Sequence, residues 1–245
     1  MANNTLELLE YICSSRKKDF SLSELSSAFQ VNKSTMHRML RVLTERGYLR
    51  QEPKTGRYLL NWKLLELGAQ VNAKLGLLET VSPYMEQLAR ETGETVNLAV
   101  LYDKKVVYIH KVESTHFLRT DLRVGITVPA YCSALGKAIL AWHTEEQLAK
   151  ILSAENLVPF TPQTITDPDL FKKELTAVKK RGYAVDIEEY IPGIICVAAP
   201  ILNRQGKAIA AISIAGPGLR ISEEKVAAVG ELVRVKTKEI SSRCG

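Results

Sequence analysis

Cysteine is scarce: four residues in 245, at positions 13, 132, 196 and 244, with no two at CxxC spacing. That pattern excludes a zinc ribbon and offers no disulfide framework, so a reducing compartment is expected. Cys13 is expected to be a small, inert, buried side chain. The four histidines, His37, His110, His116 and His143, show neither HExxH nor any other metal-ligand spacing, so no metal or cofactor is expected. No apolar run approaches the ~20 residues of a membrane span, and Met1-Ala2-Asn3-Asn4 does not open a basic-then-apolar leader. A cytoplasmic protein without a membrane partner is the expectation. Internal repeats and low-complexity tracts are missing too.

Catalytic signatures are equally thin. Gly136-Lys137 resembles a phosphate loop, but Tyr131 stands where the first Gly belongs and Ala138 where Ser or Thr would bind magnesium. Gly216-Pro217-Gly218 is a turn with no dinucleotide fingerprint. Glu188-Glu189 reads as a solvated strand end, and Cys196 lies in an apolar run with no partner histidine in view. No enzymatic activity is expected; the alternative is an enzyme domain joined to a DNA-binding module.

What is present begins with uneven charge. Residues 1–61 hold ten Lys/Arg against six Asp/Glu, a net of +4, leaving +2 of the total +6 for the other 184 residues. A positive N-terminal quarter suits phosphate binding. Leu6, Leu9 and Cys13, widened by Leu8 and Ile12, predict a first helix. Ser21-Leu22-Ser23-Glu24 is a capping box opening a short second helix with Leu22, Leu25, Ala28 and Phe29 on one face. Gln30-Val31-Asn32 breaks it. A third helix runs from Lys33 to Arg46 and stops at Gly47, with Met36, Met39, Leu40 and Leu43 inward and Ser34, His37, Arg38, Arg41 and Glu45 outward. Tyr48–Glu52, Pro53-Lys54-Thr55-Gly56 and Arg57–Leu60 then read as a basic hairpin.

A short helix, a tight turn, a helix with a basic face and a basic hairpin, in that order, make a winged helix-turn-helix whose third helix enters the major groove. The DNA-facing set is expected to be Lys33, Ser34, Thr35, His37, Arg38, Arg41, Lys54, Thr55, Arg57 and Tyr58, and the partner double-stranded DNA.

Leu64, Leu67, Val71, Leu75 and Leu78 recur at helical spacing and predict a linker helix, whose stripe is available to a second subunit. Three segments follow from this: a DNA-binding domain over 1–61, a linker over 62–76 and a second domain over 77–245. In the last, helices are expected over Thr80–Glu91, Ala134–His143, from Thr144 through Leu152, over Asp169–Arg181 and from Ser222 to about Ser241. Strands are expected over Thr95–Leu101, Lys105–Val112, Tyr183–Glu189, Ile194–Leu202 and Lys207–Ala215, with an extended stretch from Phe117 to Tyr131. Strands in runs flanked by helices predict an α+β domain on an antiparallel sheet. Ser133-Ala134-Leu135-Gly136, at a helix start, presents free backbone N–H groups suited to a carboxylate.

Several stretches, in order and across nearly the whole chain, resemble the IclR family of bacterial transcription regulators. They are Lys33–Leu40, Gly47-Tyr48-Leu49, Arg57-Tyr58, Leu64–Gly68, Pro129 with Ser133–Ala138, Arg181-Gly182-Tyr183, Asp186 with Glu188-Glu189, Gly193 and Cys196–Pro200. The resemblance implies a winged helix-turn-helix domain, a linker helix and a GAF-like effector-binding domain. It also implies a repressor that forms homodimers, sometimes tetramers, on palindromic operators. Carried over position by position, it places the effector against the backbone of Ala134 and Leu135 with Asp186, Cys196 and Ser213. One further family serine is Ala215 here, and Ala134 replaces a frequent glycine. The wording around Tyr131–Ala134 and Ala141-Trp142 is nearest the branch that senses sugar acids, so a carboxylic or sugar acid is the expected effector.

Overall fold

The computed structural model describes residues 2–117, 122–152 and 157–244. The chain divides into two compact units, residues 1–76 and 77–245.

The first unit holds helices α1 (Ala2–Ser14), α2 (Leu22–Ala28), α3 (Lys33–Glu45) and α4 (Lys63–Leu75), with strands β1 (Leu49–Gln51) and β2 (Tyr58–Leu60). The capping box is complete: Ser21 Oγ accepts from Glu24 N, and the Glu24 carboxylate accepts from Ser21 N at 2.7 Å. That amide, together with Lys17, holds the Glu24 carboxyl down at about 2. Asn32 caps α3, its Oδ1 accepting from Thr35 N at 2.8 Å. Gly47, at φ +80°, takes the chain out of α3 in the left-handed region that side chains avoid. Met36, Met39, Leu40 and Leu43 of α3 are buried with Leu8, Ile12 and Leu25, each worth about 1.5–3 kcal/mol relative to exposure. Beside the β1–β2 hairpin, Phe20 and Tyr58 exchange two backbone hydrogen bonds, which tie the α1–α2 connection to β2.

Two expectations for α1 need correcting. Cys13 and Leu6 are exposed; the buried stripe is Leu8, Leu9 and Ile12, because α1 meets the core along that narrower face.

In the second unit the order is α5 (Leu77–Thr92), β3 (Thr95–Tyr102), β4 (Lys105–Val112), β5 (Thr127–Pro129), a 3₁₀ turn (Ala130–Cys132), α6 (Ala134–Leu140), α7 (Glu145–Ile151), α8 (Pro168–Arg181), β6 (Ala184–Ile187), β7 (Ile194–Leu202), β8 (Ala208–Pro217) and α9 (Glu223–Ser241). All pairings in the six-stranded sheet, β5-β4-β3-β8-β7-β6, are antiparallel. Alternation sends Val96, Leu98, Val197, Ala199, Ile212 and Ile214 to the face covered by α5 and α9. The other face, lined by Ala99, Ala198 and Ala211, packs on α6, whose own far side meets α8. Both faces are covered, which is why β7 and, apart from Ser213, β8 read as apolar runs. The fold is α+β.

The elements depart from expectation at a few ends. α5 starts at Leu77 and runs through Pro83, and α6 stops at Leu140, three residues short of His143. β6 covers only Ala184–Ile187, since Glu188 at φ +58° turns the chain out of the sheet. Of the expected extended stretch, β5 and the 3₁₀ turn occupy the end, and residues 118–121 lie outside the described residues.

Candidate nucleic-acid interface and ligand cavity

The exposed face of α3 carries Lys33, Ser34, His37, Arg38 and Arg41, with Thr35 half-buried beside the cap. Ser34 Oγ donates to Asn32 Oδ1 at 2.8 Å, so it is held at the helix entrance. Arg41 lies 3.7 Å from Glu45, one turn on, an exposed pair worth little in water. Among the described residues, Lys33, Arg38 and Lys54 have no ion-pair partner, so their charge is available to a polyanion. Lys54 and Thr55 form the exposed tip of the hairpin. The tip turns on Gly56, whose carbonyl accepts from Gln51 Nε2 at 2.9 Å.

Two members of the expected DNA-facing set are turned to other work. Tyr58 is buried in the core beneath the hairpin. Arg57 donates from Nε to Asp19 at 2.6 Å and from a terminal nitrogen to Glu24 at 2.9 Å, which clamps the hairpin to the start of α2. With two carboxylates already on its guanidinium, Arg57 offers little net charge to a phosphate. Hairpins alternate inward and outward residues, and no local pattern says which member of a basic pair will meet an acid 38 residues earlier.

In the second unit, Ala134, Leu135, Asp186, Cys196 and Ser213 converge on one narrow cavity of ≈ 10 Å³, walled further by Tyr108, Val128, Tyr190 and Ile194. Cross-strand register does this: Asp186 on β6 faces Cys196 on β7, which faces Ala215 on β8, while Ser213 stands on the same face of β8. Opposite the sheet, α6 begins at its cap, Ser133, whose Oγ accepts from Gly136 N at 3.1 Å. The first-turn amides of Ala134 and Leu135 have no partner inside the helix. Gly136 is required by space alone: a Cβ there would sit 2.0 Å from the Ala130 carbonyl oxygen. That close approach seats the start of α6 against the 3₁₀ turn.

Behind the cavity lies a buried charge network that sequence reading missed. Lys137, only 1% exposed, makes a short ion pair with Glu189 and stands 3.8 Å from Glu174, which also pairs with Arg181 at 2.7 Å. Glu189 is therefore no solvated strand end; it is 6% exposed. Its backbone N–H donates to Asp186 Oδ1 at 2.7 Å, and its carbonyl accepts from Thr164 Oγ1 at 2.6 Å. The turn after β6 thus plugs Glu189 inward, toward the lysine. The available signal was weak: a Lys inside the wholly apolar frame Ala134-Leu135-Gly136-Lys137-Ala138-Ile139-Leu140 demands a buried anion somewhere.

Burial, reinforced by the Glu189 charge and opposed by Lys137, pushes the Asp186 carboxyl up to about 7. Burial also pushes the Cys196 thiol and the Tyr108 phenol well up, so both stay neutral. The cavity wall therefore presents hydrogen-bond donors: a carboxyl that keeps its proton up to near neutrality, a thiol, a phenol and a hydroxyl. A protonated thiol is a poor nucleophile, and no histidine lies among the lining residues.

The model of the IclR helix-turn-helix domain matches residues 2–53, and that of the bacterial transcriptional regulator IclR C-terminal domain matches residues 69–242. Transcriptional repressor IclR of Escherichia coli (strain K12) is 35% identical over 242 residues, 98% of this chain and 88% of that protein. HTH-type transcriptional regulator KdgR of the same organism is 34% identical over 229 residues, 94% of this chain and 87% of that protein. Among solved structures, the IclR of Thermotoga maritima superposes with a TM-score of 0.78 at 35% identity, covering 100% of this chain and 98% of that one. The fold, the helix-turn-helix and the matches over both units lead to one conclusion: the chain belongs to the IclR family of bacterial transcription regulators, with an N-terminal DNA-binding domain and a C-terminal effector-binding domain.

Proposed function

We propose that the chain is a cytoplasmic homodimeric repressor that binds a palindromic operator and answers to a small carboxylic acid, a sugar acid by its resemblance to the branch around KdgR. Repression is carried over from relatives named as repressors. DNA contact falls to Lys33, Ser34, Thr35, His37, Arg38 and Arg41 on α3 and to Lys54 and Thr55 at the hairpin tip. The effector contacts are the amides of Ala134 and Leu135 with Asp186, Cys196 and Ser213.

The observation that carries the reading is the cavity: five residues scattered from 134 to 213 meet in one small void whose wall is rich in neutral donors. Such a wall receives a carboxylate without needing a cation, since the Asp186 proton and the α6 amides point charge-stabilising hydrogens at it. The dimer is supported by Trp62, 79% exposed, with Leu65 and Val71 also exposed along the linker helix. Exposed apolar side chains around that helix are suited to burial against a second copy. Two-fold pairing would place the α3 helices about one DNA turn apart, ~34 Å. Effector binding would bias that spacing. A tetramer is a further pairing of such dimers.

Anisotropy with the chain's own upstream DNA tests the first half: tight, salt-sensitive binding that is lost in the Arg38→Ala, Arg41→Ala double variant. Unchanged binding there defeats it. Asp186→Ala tests the second, abolishing the small-molecule response while sparing DNA binding.

A further inference from the structure

Asn97 has no part in the contacts assigned above. It stands mid-strand in β3, 1% exposed, on the cavity face of the sheet and in register with Ser213. Its Nδ2 donates to Ser213 Oγ at 3.4 Å, and among the described residues its Oδ1 has no hydrogen-bond partner. A buried carbonyl without a donor is disfavoured as strongly as a broken hydrogen bond, and native interiors rarely keep one for nothing. Ser213 lines the cavity, so the orphan acceptor sits one hydrogen bond from its wall.

The neighbouring row across the same strands, Asp186, Cys196, Ala215 and Thr95, is served differently. Asp186 and Cys196 face the cavity, Ala215 contributes only a methyl, and Thr95 Oγ1 accepts from Ser114 N at 3.3 Å. On β8 and β3, then, Ser213 and Asn97 carry the cavity-side polarity that Ala215 lacks. The two rows are two residues apart along the strands, ~7 Å. A ligand whose carboxylate is held beside Asp186 needs a second polar group to engage the other row.

We propose that Asn97 and Ser213 form a hydroxyl-recognising subsite, which makes the effector a hydroxylated carboxylic acid rather than a plain or keto acid; this rests on the effector reading of the cavity. The donor and acceptor balance supports it. With one lone pair of Ser213 Oγ taken by Asn97 Nδ2–H, the serine proton is free to be donated to an incoming oxygen. Asn97 Oδ1 accepts the proton of that same oxygen. Only a hydroxyl both accepts and donates; a keto oxygen satisfies Ser213 and leaves Oδ1 unpaired, and a methylene satisfies neither. Sites built to pair a hydroxyl reject analogues without one, because their own polar groups are then stranded. Asn97 acts in part through Ser213 and is a positioning and specificity residue.

Calorimetry on the full chain with matched acids tests this: gluconate against hexanoate, and glycerate against propionate. The hydroxylated member of a pair is expected to bind about 10- to 100-fold more tightly. Asn97→Leu is expected to bring that ratio to about 1–2 by weakening the hydroxy acid alone, a selectivity change that loss of mere structural support would not produce. A ratio retained in Asn97→Leu overturns the subsite and leaves the cavity's acid-binding role standing. Should that variant fail to fold, the wild-type ratio decides, and equal binding within the pairs overturns the subsite. Binding of none of the four acids removes the carboxylic-acid reading of the cavity itself, and the subsite with it.

Discussion

The Asp186 carboxyl sets a measurable pH dependence on the second unit. Its ordinary value of 3.8 is pushed up to about 7 in the fold, chiefly by burial. Between those values the folded state holds a proton that the unfolded chain has released. Stability therefore falls as pH rises through this window and levels off above it, once both states are ionised. At roughly 1.4 kcal/mol per pH unit the whole window is worth about 4 kcal/mol, of which about 2–3 kcal/mol falls between pH 5 and 7. Asp186→Asn keeps the size and the acceptor for Glu189 N–H while removing the titration. The assay is urea unfolding followed by Trp142 fluorescence in a Trp62→Phe background, since these are the only two tryptophans. The variant should gain on the parent by about 2–3 kcal/mol from pH 5 to 7. Groups not coupled to Asp186 cancel in the difference. Parallel stability curves for the two proteins would refute the reasoning, because they would mean the folded carboxyl titrates as it does in water.

The Lys137–Glu189 pair gives a larger effect. Lys137→Met leaves a buried carboxylate uncompensated and should cost about 3–5 kcal/mol at pH 8, recovering as pH falls and Glu189 takes up a proton; a loss under about 1 kcal/mol at pH 8 would show that the pair is solvated. In the first unit, Arg38→Ala should lower the slope of log affinity against log salt by about 1, the signature of one lost phosphate contact. Arg57→Ala should leave that slope unchanged while lowering the unit's melting temperature, because its guanidinium is held by Asp19 and Glu24. A slope that drops equally in both variants would return Arg57 to the DNA-facing set.

Much of this protein is written in short-range pattern. The Ser21 and Thr144 capping boxes, the apolar stripe of α3, the end of α8 at Gly182 and the runs of β4 and β7 all follow from residues within a turn or two of one another. Local sterics and hydrogen bonding suffice to decide them, so the sequence alone determined the element order, the helix-turn-helix and the α+β class. The cavity residues Asp186, Cys196 and Ser213 were legible only through family resemblance; nothing local marks them. What tertiary structure decided are pairings across long stretches of chain: Arg57 with Asp19 over 38 residues, Lys137 with Glu189 over 52, Asn97 with Ser213 over 116. A charged or amide side chain reads as solvated until its partner is known, because water and a distant counter-charge satisfy it equally well on paper. For Lys137 and Asn97 the packing of α6 against the sheet, which removes the water, makes the choice between them; for Arg57 the docking of the hairpin on the start of α2 makes it.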